Sequence, residues 1–155
     1  MKTLAVLLVA LALVLAAGCQ QRVGVAAETA AVTAVLNDYI ASVEKEEIDL
    51  YGKVMAHDAG MVNYGTSGAP IVGWNALKKI IEDQNAALSQ TRITASNVSV
   101  KILPAGDWAW ATSLWEFKAV MGGKTLDLPV RCTWILEKRD GRWVVVHFHK
   151  SIAAG

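Results

Sequence analysis

Three side chains near the C-terminal end carry the chemistry that is easiest to argue from residue type and spacing: Arg131, His147 and His149. Arg131 stands between Val130 and Cys132 in a run that reads as a strand, where a cation is costly unless it is paired. Side chains alternate faces along a strand. Arg131, Thr133 and Ile135 therefore share one face, opposite Cys132, Trp134 and Leu136. By the same count Trp143, Val145, His147 and His149 share a face, opposite Val144, Val146 and Phe148. An arginine with one or two histidines on a concave sheet face would hold a carboxylate or another anionic or polar ligand. These three are the expected ligand-binding residues. The competing role for Arg131 is a salt bridge to Glu116 or Asp127, and for the histidines that of hydrogen-bonded or solvated strand ends. Two histidines at i, i+2 do not make a zinc site, which takes at least three protein ligands. No metal and no cofactor is expected.

Catalytic roles have thinner support. His149, Asp107 and Tyr64 are the candidates for an acid–base site, with Asp58 as a further carboxylate. Both aspartates lie at element ends, where capping and turn roles are common. There is no Gly-rich phosphate loop, no Ser nucleophile elbow and no CxxC pair. Whether the protein is an enzyme stays open at this point.

The elements that must position these residues follow from periodicity. Val32, Val35, Leu36, Tyr39, Ile40 and Val43 mark one face of a helix over residues 28–44. A shorter helix is expected over 46–55, and a third over 74–88 through Trp74, Leu77, Ile80, Ile81 and Leu88. Between them, residues 61–64 and 71–72 read as short strands around a Gly/Pro turn. Strands follow over 92–103, 108–120, 125–138 and 143–151, joined by Pro104–Asp107, Gly122-Gly123 and Asp140-Gly141. The expected class is α+β: a curved antiparallel sheet with three helices from the N-terminal half, forming a cone with a pocket. Both sheet faces read as apolar. Helices and pocket would cover one, and a second copy of the chain would cover Trp134, Phe148, Val144 and Val146 on the other, so a homodimer is expected.

In the chain of 155 residues a short positive start, Met1-Lys2-Thr3, is followed by fourteen uninterrupted apolar residues, Leu4–Ala17. That is the pattern of a secretory signal and is short for a membrane-spanning helix. Leu15-Ala16-Ala17-Gly18-Cys19 looks like a bacterial lipobox, which implies acylation of Cys19 and cleavage after Gly18. The expected organisation is a signal peptide over 1–18, a tether over 19–27 and one domain over 28–155. Several acyl chains, palmitate among them, make a firm membrane anchor. The expected location is the bacterial envelope, on the outer membrane facing the periplasm if the cell is Gram-negative. With Cys19 acylated, Cys132 is a lone buried thiol. Removing Lys2 with the leader leaves 14 basic residues against 14 acidic ones, and no dense basic stripe remains to bind nucleic acid.

The segment from Val130 to Ser151 resembles the end of SnoaL-like domains, which belong to the nuclear transport factor 2-like superfamily. Its features are Arg131 in a strand, the Asp140-Gly141 turn, Trp143 and the tail His147-Phe148-His149-Lys150-Ser151. This is similar to the branch that includes the calcium/calmodulin-dependent kinase association domain. Gly73-Trp74-Asn75-Ala76-Leu77 matches the glycine that opens the third helix of that group, and Gly106-Asp107 with Ala109 matches its central hairpin. The resemblance covers about residues 28–152. It implies the cone, a pocket, frequent dimers, and Arg131, His147 and His149 as pocket residues. Members of the superfamily include isomerases, dehydratases and non-catalytic binding or assembly modules, so fold alone does not fix function. The reading carried forward is a lipid-anchored module that binds a small polar or anionic ligand. The alternatives are an isomerase or hydro-lyase, or a dimeric assembly module.

Overall fold

The computed structural model describes residues 24–66 and 68–152. The expected leader, Cys19 and residues 20–23 of the expected tether lie outside them. Helix α1 occupies residues 24–44, so it is already formed four residues before the expected start at 28. Val32, Leu36, Tyr39 and Val43, spaced four, three and four apart, are all buried. Each such side chain contributes about 1.5–3 kcal/mol through removal from water. The helix stops in a reverse turn in which Glu47 N bonds Ser42 O at 3.0 Å and Glu46 N bonds Val43 O at 3.4 Å. Glu46 takes the left-handed conformation, φ 59°, where glycine is the usual residue. No helix among the described residues is long and apolar enough to cross a membrane.

Helix α2 (Ile48–Val54) is followed by a two-stranded hairpin, β1 (Val62–Asn63) and β2 (Ile71–Val72), and by α3 (Trp74–Ala87). Gly73 opens α3 at φ 80°, and a Cβ there would lie 2.7 Å from Ala59 O. Positive φ and the close backbone approach both demand glycine. Strands β3 (Leu88–Ile102), β4 (Trp108–Met121), β5 (Lys124–Arg139) and β6 (Arg142–Ile152) form one antiparallel meander in sequence order. This is the expected α+β cone. β3 breaks register twice, and Gln90 and Asn97 take positive φ within the two interruptions. Such bulges bend and twist a strand, which supplies the curvature. Pro129 pairs with Glu116 but lies beyond the last β6 partner, Ile152 opposite Val130. Among the described residues it therefore has a strand on one side only, the position in a sheet where proline is tolerated.

One irregularity corrects the parity count made from sequence. In β6, Ile135 pairs with His147 but Leu136 pairs with Val145, so Val146 is unpaired and bulged. Trp143 and Val145 therefore share the inner face with Phe148 and Lys150, while His147 and His149 turn outward. Trp134 and Phe148, expected on the outer face, are buried against Tyr39 of α1 at ring-centroid distances of 5.9 and 6.2 Å. The face away from the helices instead presents Trp108, Trp110, Leu114 and Ile135, all exposed.

Candidate cone site

Helix α3, the β1–β2 turn and the inner face of the sheet enclose a cavity of about 660 Å³, within the range of small-molecule sites. Leu77 and Ile81 come from α3, Ile71 from β2, and Trp115, Val130 and Phe148 from the sheet. The wall is largely apolar. Lys150 is the only charged side chain among its described lining residues, and the β6 bulge is what turns it inward. Its Nζ sits 4.9 Å from the ring centroids of Tyr39 and Trp115 and 5.0 Å from that of Phe148. No carboxylate forms an ion pair with it among the described residues. Burial pushes the ammonium down to about 8, because a desolvated cation is disfavoured. The three ring faces supply the attraction that remains.

Polar groups cluster at the same depth. Tyr39 and Tyr51 share a hydrogen bond between their hydroxyls at 3.1 Å, and burial raises both phenols well above their ordinary range. Cys132 is the cross-strand partner of Lys150 and of Ser113. Its thiol is buried as expected and pushed up to about 12, so it stays protonated and unreactive. The indole N–H of Trp115 is buried without a hydrogen-bond partner. A ligand oxygen beside Lys150 would meet a cation.

The residues singled out from sequence lie elsewhere. Arg131 is exposed on the outer face, its guanidinium donating to Ile152 O at 3.3 Å. It pairs with neither Glu116 nor Asp127; Asp127 faces Lys118 at 3.6 Å. His147 and His149 flank Tyr64, with ring centroids 5.9 and 5.7 Å from it. Tyr64 is 43% exposed, and His147 Nδ1 lies 2.6 Å from Val62 O. The sheet thus brings Arg131, His147, His149 and Tyr64 to one outer edge, away from the cavity wall. Asp58 is held by Arg139 in a two-point pair at 2.8 and 2.6 Å, with its carboxyl below the usual range through those bonds. Asp107 sits in the β3–β4 turn, its carbonyl accepting from Lys138 N at 2.7 Å. Among the described residues no three His, Cys, Asp or Glu side chains gather as a metal site would require.

Lys150 was missed because the histidines beside it drew attention to the opposite parity. The available signal was its alternation with Phe148, a lysine continuing an apolar face.

The model of the SnoaL-like domain family matches residues 32–155. No curated protein matches the chain. Among solved structures, a nuclear transport factor 2-like superfamily protein from Salmonella enterica serovar Typhimurium is 20% identical, with a TM-score of 0.77. The match covers 84% of this chain and 94% of that one. A candidate dehydratase of the same family from Streptomyces avermitilis is 12% identical with a TM-score of 0.76, over 83% and 99% of the two chains. A candidate calcium/calmodulin-dependent protein kinase II association domain from Xanthomonas campestris is 22% identical with a TM-score of 0.68, over 79% and 85%. At these identities the structures establish the fold alone. With the cone, its cavity and the match over most of its length, the chain belongs to the SnoaL-like domain family of the nuclear transport factor 2-like fold.

Proposed function

We propose that this protein is a lipid-anchored envelope module whose cone binds a small, largely apolar ligand through one anionic or polar oxygen group. The observation that carries this reading is Lys150, a cation with no acid partner among the described residues, in the wall of a largely apolar cavity of about 660 Å³. A buried lysine without an acid is unfavourable in the empty protein. A ligand anion would supply the missing partner. An isomerase or hydro-lyase working through His149, Asp107 or Tyr64 has less support, because no histidine or carboxylate is among the described lining residues.

The anchor rests on the Leu15–Cys19 motif behind the apolar Leu4–Ala17 run. Homodimer formation through the outer sheet face is supported by a contiguous exposed group, Trp110 at 48% and Leu114 at 44% beside Trp108 and Ile135. Monomers seldom leave such a patch uncovered.

The test is binding of 1-anilinonaphthalene-8-sulfonate, an apolar probe with one anionic head, to the full-length chain carrying Cys19→Ser. Lys150→Met is expected to weaken binding about 10- to 100-fold, the size of a charge-assisted hydrogen bond. Arg131→Ala is expected to leave it unchanged. Equal loss in both variants, or loss with Arg131→Ala only, refutes the cone assignment. Native mass spectrometry of the protein purified from its own envelope would then reveal any carried compound and the subunit count.

A further inference from the structure

The environment of Lys150 suits a second use of its nitrogen, which rests on the reading of the cone as the ligand site and narrows the ligand class. We propose that Lys150 is a Schiff-base lysine, whose amine captures the carbonyl of an apolar aldehyde or ketone seated in the cavity.

The geometry meets each requirement of that reaction. A lysine becomes a nucleophile when a hydrophobic pocket strips its ammonium of water. Here no carboxylate among the described residues holds the proton in place, and part of the side chain is accessible beside the cavity it lines. Burial brings the ammonium down to about 8, so about a tenth of Lys150 is free amine at neutral pH, against well under a thousandth of an ordinary lysine. The neighbouring thiol of Cys132 is pushed the other way, to about 12, and does not compete. Lys150 is thus the reactive nucleophile of the pocket.

In the reaction the nitrogen lone pair forms a C–N bond to the carbonyl carbon as the π pair moves to oxygen. That oxygen takes up two protons, one from the amine and one from solvent, and leaves as water. The C=N bond forms with nitrogen protonated. Nothing is oxidised or reduced. The resulting iminium keeps its positive charge at the nitrogen, under the same faces of Tyr39, Trp115 and Phe148 that lie 4.9–5.0 Å from Nζ. Cation–π attraction therefore acts on the product as well as on the ammonium. The apolar wall excludes the water that would hydrolyse it.

The test uses cinnamaldehyde and sodium cyanoborohydride at pH 7 on the full-length chain carrying Cys19→Ser, read by intact mass and peptide mapping. One adduct per chain at Lys150 is expected, forming at least about tenfold faster than at any exposed lysine. Lys150→Arg should abolish it. A readout without mutation at the site guards against misfolding: excess cinnamyl alcohol, which has no carbonyl, should protect Lys150 in the chain with the lysine intact. Binding of the alcohol is followed independently by isothermal titration calorimetry. Bound alcohol with no adduct at Lys150 overturns the Schiff-base assignment and leaves the pocket standing. Neither bound alcohol nor adduct overturns both. Adducts spread evenly over the exposed lysines also overturn it.

Discussion

Replacing Lys150 by methionine should stabilise this protein at neutral pH, and the stabilisation should fade as the solution is made alkaline. The lysine titrates near 8 in the folded chain against an ordinary 10.5. At about 1.4 kcal/mol per tenfold change in protonation, the folded state carries a desolvation penalty of about 3 kcal/mol below pH 8. The sign follows from proton counts. Between pH 8 and 10.5 the unfolded chain still holds a proton that the folded chain has released, so the stability tied to this group rises with pH through that window. The penalty is fully present below it. Three aromatic faces near 5 Å offset part of the cost, at about 0.5–1 kcal/mol each. A net burden of up to about 2 kcal/mol is left. Methionine keeps an unbranched apolar side chain that adapts to the cavity wall. Lys150→Met should therefore gain up to about 2 kcal/mol at pH 7 and nothing by pH 10.5. The assay is urea unfolding of both chains by tryptophan fluorescence from pH 6 to 10.5, compared as a difference. The difference matters because the Tyr39 and Tyr51 phenols, both raised by burial, lower stability at high pH in both chains alike. A variant less stable than its parent at pH 7, or a gap that stays constant with pH, refutes the picture of a desolvated, unpaired lysine.

Three other outcomes follow from the geometry. Glu46→Gly should raise stability by about 1 kcal/mol in thermal or urea unfolding, since Glu46 holds a left-handed φ of 59° that glycine adopts without strain. Arg139→Ala should cost about 0.5–1 kcal/mol at pH 7, a modest figure because Arg139 and Asp58 keep 37% and 43% of their side-chain surface exposed. Because Asp58 is depressed by Arg139, that contribution is present above the ordinary carboxylate range and lost as pH falls through the depressed value, so the gap should close in strong acid. Ile135→Glu, placed in the exposed outer face, should convert dimer to monomer in sedimentation velocity while the circular dichroism spectrum stays unchanged; a dimer that persists would remove that face as the interface.

Periodicity was enough for the elements, because each buries one regular face. The spacing of Val32, Leu36, Tyr39 and Val43 can only serve a helix, and the alternation around Trp134 only a strand. The Gly/Asp turns between the strands forced a meander. The glycine before Trp74 was legible too, and the close approach of Ala59 O is its reason. Cys132 was readable as a buried thiol from its apolar neighbours. Which residues line the cone was decided by tertiary structure. Parity counting assumes an unbroken ladder, and the unpaired Val146 breaks it by one residue. That shift sends His147 and His149 to the outer edge with Arg131 and turns Phe148 and Lys150 inward. Composition cannot signal such a bulge, since the register of β6 is set by how Leu136 and Trp134 on the neighbouring strand fit beneath α1. The state of Lys150 is likewise a property of its surroundings. A lysine after His-Phe-His reads as a solvated strand end, and it becomes a distinctive group only where three aromatic rings from α1, β4 and β6 converge on it and no carboxylate among the described residues does.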